Sequence, residues 1–235
     1  MEFALHYLPE EHTKEQTFFY EINHHPTCLG LVKGDRPIPD LLLFHPQVVK
    51  ALVERGVKVF VQRGYADHTS MTDMDYANVG ADIVDDFVAL TQLAKILVKF
   101  SPFTDIETQM LQNGQIIVSR VLPSELDVQY INVLAKKKIS AVAINFIKGK
   151  DGWSVLDNIL MSSTNAEIMT QRLAHFILPL IESLLFSNNL RYGVQTNPAL
   201  LESMYCYRGT LCNKMIATQL DVMWKDILSI CFDLN

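Results

Sequence analysis

Four side chains of this sequence could bind or protonate a small anion. Lys99 and Arg120 lie near the ends of two predicted strands, Arg36 lies in a loop, and His45 precedes a predicted helix. A carboxylate site requires a fixed cation, and proton transfer to an imine nitrogen or a carbonyl oxygen requires a titratable group within hydrogen-bond reach. Arg120 is the most informative of the four, because α/β proteins bind ligands at the carboxyl ends of parallel strands. These residue types favour a site for a small carboxylate or an amino acid.

Each of these side chains also has an ordinary structural interpretation. Arg120 could pair with a surface carboxylate, Arg36 could be a charge on a flexible loop, and His45 could cap the helix that opens at Pro46. The pair His24-His25 has no third His and no carboxylate at ligand spacing, so we predict no metal site.

Short apolar strands alternate with helices and must position these side chains. The predicted strands are Leu29–Val32, Val57–Val61, Ala81–Val84, Ile96–Phe100, Gln115–Val121 and Ile139–Ile147. Strands separated by helices run parallel, because a parallel neighbour needs a crossover connection. The predicted fold class is therefore α/β, a doubly wound and mostly parallel sheet with long C-terminal helices. Asn145, on the last of these strands, is expected to have its hydrogen bonds satisfied within the core.

Helix boundaries can be predicted from capping residues and apolar periodicity. Thr72 should cap a helix that carries acids in its first turn, and Ser124 should cap a helix that runs to Lys138. A long helix from about Asn165 to Phe186 has a broad apolar stripe and a Pro179 that should kink it. Thr210 should cap a final helix through about Ile230. The residues of that helix expected to face inward are Met215, Ile216, Leu220, Met223, Trp224 and Ile227.

Composition limits the class of protein and its partners. The chain has 235 residues, of which 49% are hydrophobic, so it can bury a sizeable core. We predict one domain, with an extension at 1–27, an α/β core at 28–175 and a helical segment at 176–235 that packs back on the core. The net charge of −6 disfavours nucleic acid, because phosphate binding needs a basic surface.

Targeting and redox signals favour a cytoplasmic protein. The longest apolar run, Phe176–Phe186, is interrupted by Pro179 and Glu182, so no membrane span is predicted. The first residues include acids and lack the apolar core of a signal peptide. The four cysteines show neither zinc spacing nor a C-x-x-C pair, which suggests reduced thiols.

The stretch from Cys28 to Asp86 resembles a known family. Its segments ALVERGVKVFVQRG and TDMDYANVGADIVDD are similar to the N-terminal half of alanine dehydrogenase and of the alpha subunit of proton-translocating nicotinamide nucleotide transhydrogenase. The resemblance continues to about Ala174. A second piece, from Asn197 through Gly209 into the last helix, resembles the extreme C-terminus of alanine dehydrogenase. This implies a Rossmann-like or flavodoxin-like substrate domain built from two pieces, with a nicotinamide-binding domain between them in the family.

The family's cofactor and substrate residues are not evident in this sequence. No G-x-G occurs anywhere, and the interval Phe176–Gly193 is too short for a βαβ unit of roughly thirty residues, so no nicotinamide cofactor is expected. The resemblance places Leu41, Phe100 and Leu122 where the family has its substrate Arg, its substrate Lys and its catalytic His. Lys99 is offset from the family's Lys by one residue, which points its side chain to the opposite face of the sheet.

These observations predict a stand-alone, catalytically degenerate homologue of the substrate domain, and they favour a protein without catalytic activity over an enzyme. It would bind a small carboxylate or amino acid, or act as a regulatory protein, as a homodimer formed with help from the long helix. One alternative is an oxidoreductase subunit whose NAD(P)-binding domain is supplied by a separate chain. A second alternative is a scaffold that offers the wide apolar helix to a protein partner.

Overall fold

The computed structural model describes residues 28–35, 42–162, 165–187 and 189–232. Within these ranges one sheet has the strand order β3-β2-β1-β4-β5-β6-β7-β8. The strands are β1 Leu29–Leu31, β2 Val59–Gln62, β3 Asp82–Val84, β4 Ile96–Val98, β5 Ile116–Ser119, β6 Ser140–Ala143, β7 Met204–Tyr207 and β8 Thr210–Leu211. Strands β1 to β6 pair in parallel, and β7 and β8 extend the sheet as antiparallel strands. The predicted α/β class with a doubly wound, mostly parallel sheet is confirmed.

Helices connect the strands and cover both faces of the sheet. They are α1 Pro46–Glu54, α2 Asp73–Asn78, α3 Phe87–Leu93, α4 Asp105–Met110, α5 Val128–Lys136, α6 Val155–Met161, α7 Ala166–Phe186, α8 Leu190–Thr196, α9 Pro198–Ser203, α10 Lys214–Leu220 and α11 Ile227–Cys231. Among the described residues, no helix is both long and apolar enough to cross a membrane.

The sheet separates two layers of core. Along β5, Ile116 and Val118 join the layer under α1, α2 and α7, whereas Ile117 joins the layer under α3, α4 and α5. Strands of a parallel sheet are buried on both faces and therefore read as continuous apolar runs. Gly30 of β1 allows close packing, because a Cβ there would lie only 2.8 Å from the Cβ of Ala94. The two layers thus fix which side chains can meet at each strand end.

Capping residues explain where the helices begin. Thr72 precedes α2 as predicted, and both its backbone N–H and its hydroxyl donate to the Asp75 carboxylate. Asn165 accepts a hydrogen bond from the backbone N–H of Ile168 at 3.1 Å and begins α7. The prediction for Ser124 is wrong, because this residue lies in a 3₁₀ turn that Pro123 opens. Helix α5 begins later, at Val128, and is capped by Asp127.

The predicted final helix from Thr210 to Ile230 is wrong. Thr210 belongs to β8, and Asp221 ends α10 in the left-handed conformation, with φ of 53°. The chain then turns back, and the backbone N–H of Lys225 donates to the Leu211 carbonyl at 3.0 Å. Met223 is consequently 93% exposed instead of buried, and Met215 and Trp224 are exposed as well, whereas Ile216 and Ile227 are buried as predicted.

The apolar stripe of helix α7 packs against the core of its own chain. The buried apolar residues of the helix are Leu173, Ile177, Leu180, Ile181, Leu184 and Leu185. Met169 and Phe176 are partly buried against the same core layer, which leaves Ile168 as the exposed large apolar residue of this stripe. This arrangement counts against the prediction that the stripe is offered to a protein partner or to a second copy.

Candidate functional site

The sheet contains a topological switch point between β1 and β4. β1 pairs with β2 on one side and with β4 on the other, so the connections leave β1 and β4 in opposite directions. Ligands of doubly wound α/β proteins bind in the crevice outside the carboxyl ends of such strands. Here Asp35 follows β1, Lys99 and Ser101 follow β4, and Arg120 follows β5. Two of the four sequence candidates, Lys99 and Arg120, therefore lie at neighbouring strand ends.

The amino group of Lys99 is closed off from solvent. Its side chain is fully buried, its Nζ lies 2.8 Å from both carboxylate oxygens of Glu107, and Asp35 Oδ1 lies at 3.0 Å. The ring of Phe103 lies 5.8 Å from the same nitrogen. Because two carboxylates of this chain already surround the cation, the arrangement argues against Lys99 as a partner for an external anion.

A capping box holds Glu107 in place. Thr104 donates from its backbone N–H at 2.7 Å and from its hydroxyl at 3.0 Å to the Glu107 carboxylate at the start of α4. The Thr-x-x-Glu spacing is a sequence signature of such a helix start, so it could have revealed the fixed position of Glu107. The same carboxylate therefore begins a helix and binds Lys99.

Asp35 is held in its ionised form. Desolvation acts to raise the pKa of this carboxyl, but hydrogen bonds from Ser101 and Lys99 outweigh it and lower the pKa below its ordinary value. The bond from the Ser101 hydroxyl measures 2.5 Å. Asp35 was not among the sequence candidates, since its partners come from a strand far away in the chain.

The apolar positions noted in the sequence occupy different places. Phe100 packs against the layer under α1 and α7, whereas Lys99 lies beside Phe103 of the other layer. Leu122 lines a cavity of about 400 Å³ together with Asp35, Phe103 and Tyr130. Leu41 and the candidate Arg36 lie outside the described residues, as do His24 and His25.

The guanidinium of Arg120 has N–H groups that form no hydrogen bond with the described residues around it. Its Nε is buried without a hydrogen-bond partner among the described residues. Its Nη2 lies 3.9 Å from Asp157 Oδ1, which is beyond hydrogen-bond distance, and the side chain is 34% exposed. The guanidinium is thus anchored on β5 and open at one side.

Asn145 fixes the backbone beside Arg120. Its side-chain oxygen accepts from the Val121 N–H at 2.8 Å, and its side-chain nitrogen donates to the Val121 carbonyl at 2.8 Å. The expectation that this amide is satisfied is confirmed, although the residue lies in a 3₁₀ turn after β6 and not within the strand. The two bonds tie the ends of β5 and β6 together.

His45 caps α1, as one interpretation of the sequence expected. Its Nδ1 accepts from the Gln47 backbone N–H at 3.5 Å. The residue also lines a cavity of about 710 Å³, whose wall includes Leu42, Met71 and Thr170. Neither Lys99 nor Arg120 contributes to this wall, so the structure does not bring His45 together with the switch-point cations.

The described residues around the switch point disfavour the pyrophosphate of a nicotinamide nucleotide. Such a group needs free backbone N–H donors at the end of the first strand. After β1 the Lys33 N–H donates to Gln62 Oε1 at 3.0 Å, and after the neighbouring β2 the Gly64 N–H donates to Asp73 Oδ1 at 2.9 Å. Asp67 lies beside them, 2.7 Å from the Lys33 ammonium. Occupied donors and nearby carboxylates both disfavour a bound phosphate.

The part of the chain that the structure describes shows no cluster of metal ligands, and two of its buried cysteines are not activated. No group of three or more His, Cys, Asp or Glu residues there is arranged to hold a metal ion. Burial raises the pKa of Cys206 and of Cys212 to about 12, so these thiols are poor nucleophiles.

Comparisons with known proteins agree with the sequence resemblance. Residues 44–164 match the family model described as "Alanine dehydrogenase/PNT, N-terminal domain". An alanine dehydrogenase of Methanococcus maripaludis is 26% identical over 123 residues, which are 52% of this chain and 33% of the relative. The chain therefore matches about a third of the length of this curated relative. The second piece, from Asn197 onward, lies outside the family match and remains a prediction.

Two solved structures are also similar. An L-alanine dehydrogenase has a TM-score of 0.47 at 17% identity, covering 56% of this chain and 36% of its own. A transhydrogenase from Sinorhizobium meliloti has a TM-score of 0.45 at 17% identity, covering 51% and 35%. The family match spans more than half of the chain, and on that ground the chain belongs to the alanine dehydrogenase/PNT N-terminal domain family.

Proposed function

We propose that this domain binds a small carboxylate through Arg120, beside the carboxyl ends of β4 and β5. The observation that carries the proposal is the partly exposed Arg120 side chain, 34% accessible, whose Nη2 lies 3.9 Å from Asp157 Oδ1 and so beyond hydrogen-bond distance. A guanidinium presents parallel N–H donors that match the two oxygens of a carboxylate. A ligand carboxylate would bind the solvent-facing N–H groups of this guanidinium.

The other cations at this edge of the sheet support the choice of Arg120. Lys33 has an Asp67 oxygen at 2.7 Å, Arg63 has an Asp85 oxygen at 2.7 Å, and Lys99 has Glu107 and Asp35 oxygens within 3.0 Å. Each of the three is neutralised within the chain, whereas Asp157 stays 3.9 Å from Arg120. The folded chain thus leaves one of its described strand-end cations available to an external anion.

We also propose that the domain does not catalyse a dehydrogenase reaction on its own. Phe100 and Leu122 stand where the family resemblance expects a lysine and a histidine, and neither can transfer a proton. Lys99 is buried between two carboxylates, and the end of β1 does not fit a pyrophosphate. Binding without turnover would suit a regulatory or sensory domain.

A thermal-unfolding screen tests the binding proposal. The name of the curated relative suggests alanine as the first probe. Pyruvate, other amino acids and other 2-oxo acids follow, because oxidation of an amino acid at its α-carbon leads to the 2-oxo acid. A ligand at about 100 times its dissociation constant adds about 2.7 kcal/mol, which should raise the unfolding midpoint by roughly 5 °C or more. The shift should vanish in Arg120→Gln and persist in Arg63→Gln, whose guanidinium is already paired at the end of β2.

Three results would count against the proposal. One is the absence of a shift with every carboxylate, and another is a shift that survives Arg120→Gln. Stabilisation by NAD(H) or NADP(H) would contradict the phosphate argument and favour an oxidoreductase subunit that needs a second chain. Turnover of pyruvate, ammonium and NADH by the purified protein, above a buffer blank, would contradict the absence of catalysis.

A further inference from the structure

The outer face of α3, α4 and α5 is nearly free of charge. The three helices lie side by side on one face of the sheet, with α4 in the middle. Their exposed residues are Val88, Gln92, Leu93, Asp105, Ile106, Gln109, Met110, Val128, Gln129, Asn132, Ala135 and Lys136. The two charged residues of this set stand at the first position of α4 and at the last position of α5. We call this set of residues the three-helix face.

Helix α1 on the opposite side of the sheet has an ordinary surface. Its exposed residues are Gln47, Lys50, Ala51 and Glu54, and half of them are charged. Single exposed apolar residues are normal, but a continuous apolar patch is not. Depletion of Lys, Glu and Asp together with exposed Met marks the centre of protein interfaces. The three-helix face has this composition, so it has the character of a contact surface.

Charges border the three-helix face on two opposite sides. Asp86 and Asp127 cap α3 and α5 at one side, and Asp105 opens α4 there. At the opposite ends of the helices, Lys136 is the last residue of α5, and Lys95 and Lys138 follow α3 and α5. The helices run in the same direction because each connects two parallel strands. The face therefore has an acidic edge and a basic edge, separated by the length of a helix.

We propose that a second copy of this chain packs on the three-helix face, with its helices antiparallel to those of the first copy. The two-fold axis would lie in the plane of the face and perpendicular to the helices. Each helix then meets its own counterpart, and the acidic edge of each copy meets the basic edge of the other. A two-fold axis along the helices would instead place acid against acid and lysine against lysine.

The dimensions of the face suit a dimer. Three helices at 8–10 Å spacing give a width of about 30 Å, and helices of six to nine residues with their charged edges give a length of roughly 15–20 Å. The resulting area of about 450–600 Å² reaches the lower end of what each partner contributes to a stable interface. Helix α7, the other candidate for such a contact, already buries its stripe within the chain.

Sedimentation velocity over about 1–100 µM protein tests the surface. The wild type should be a dimer, and Ile106→Glu on the central helix should raise the dimer dissociation constant at least 100-fold. Ile106 is 69% exposed, so a glutamate there is solvated in the monomer and should leave the fold intact. Met74→Glu on α2, at a side chain 66% exposed on the other side of the sheet, is the matched control and should remain dimeric. A monomeric wild type, or a dimeric Ile106→Glu variant, would overturn the proposal.

A second pair of substitutions tests the antiparallel arrangement. Asp86→Asn combined with Asp127→Asn removes two charges from the acidic edge, and asparagine caps a helix about as well as aspartate. The double variant should dissociate about tenfold more readily than the wild type, and its dissociation constant should respond less to salt. Dissociation constants that are equal for the two proteins at every salt concentration would overturn the pairing of acidic with basic edges.

Discussion

The ammonium of Lys99 and the carboxylate of Glu107 form a buried pair in which both carboxylate oxygens lie 2.8 Å from the nitrogen. Glu107 also accepts two hydrogen bonds from Thr104, so the pair connects the end of β4 to the start of α4. Asp35 adds a third element, because it joins the same ammonium from the end of β1. The pair therefore stabilises the switch point internally and keeps the Lys99 ammonium away from solvent.

Replacing Lys99 should strongly destabilise the fold. Lys99→Met leaves Glu107 without its cation in a site that is largely buried, and removing one partner of a buried pair costs about 3 kcal/mol or more. Adding Glu107→Gln should recover part of this loss, because the remaining group is then neutral. Urea unfolding of the three proteins gives the free energies. A Lys99→Met variant as stable as the wild type would contradict the role of the pair.

The Asp35 interactions should make stability depend on pH in acid. The folded pKa of Asp35 lies below its ordinary value of about 3.9, so its ionised form stabilises the fold above that pH. This contribution is lost as the pH falls through the lowered pKa, where the folded protein also takes up the proton. Asp35→Asn should therefore be less stable than the wild type at pH 6, and the difference should disappear in strong acid.

Unfolding midpoints measured from pH 2.5 to pH 7 check this expectation. The exposed Glu54→Gln, which removes a loose ion pair with Lys50, should change stability by no more than about 0.5 kcal/mol throughout. A difference between wild type and Asp35→Asn that stays constant or grows on acidification would show that the carboxylate does not act through its charge.

The two tyrosine hydroxyls in the second core layer should be energetically coupled. Tyr130 and Tyr205 are both buried, their hydroxyl oxygens lie 3.0 Å apart, and burial raises the pKa of both groups. Tyr130→Phe should cost about 1–2 kcal/mol, because it leaves a buried hydroxyl without its partner. The double change to phenylalanine should cost less than the sum of the single changes. Strict additivity in a double-mutant cycle would exclude the coupling.

The turn between β7 and β8 should tolerate no side chain at Gly209. Its φ is 85°, and a Cβ there would lie 2.7 Å from the Ala135 carbonyl oxygen. Gly56 has φ of 83° but no atom within 4 Å of such a Cβ. Gly56→Ala should cost about 1–2 kcal/mol from backbone strain alone, and Gly209→Ala should cost clearly more. Chemical denaturation measures both, and equal losses would show that the contact with Ala135 is unimportant.

Local signals explain the part of the fold that the sequence could predict. Asn165 and Thr72 each stand before a segment whose sequence predicts a helix. Both residues cap the helix that was predicted to begin there. The continuous apolar runs predicted the buried parallel strands. His45 before Pro46 indicated a helix start, which the structure confirms.

Interactions between distant segments explain what the sequence did not show. The apolar spacing from Ile216 to Ile227 fits a single helix, but the left-handed Asp221 and the bond from Lys225 to Leu211 break it in two. At the candidate site, the burial of Lys99 depends on Asp35, which arrives from another strand. The unfilled Nε of Arg120 is a property of the packed structure and has no counterpart in the sequence.

The antiparallel addition of β7 to β6 has a consequence for synthesis on the ribosome. The backbone N–H of Arg208 donates to the Ser140 hydroxyl, although the two residues are 68 positions apart. At about 5–20 residues per second, the outer edge of β6 waits roughly 3–14 s before its permanent neighbour is made. During that time the nascent chain presents an unpaired apolar strand edge, which other chains could bind. Slow translation of the segment that precedes β7 should therefore favour aggregation and increase the need for chaperones.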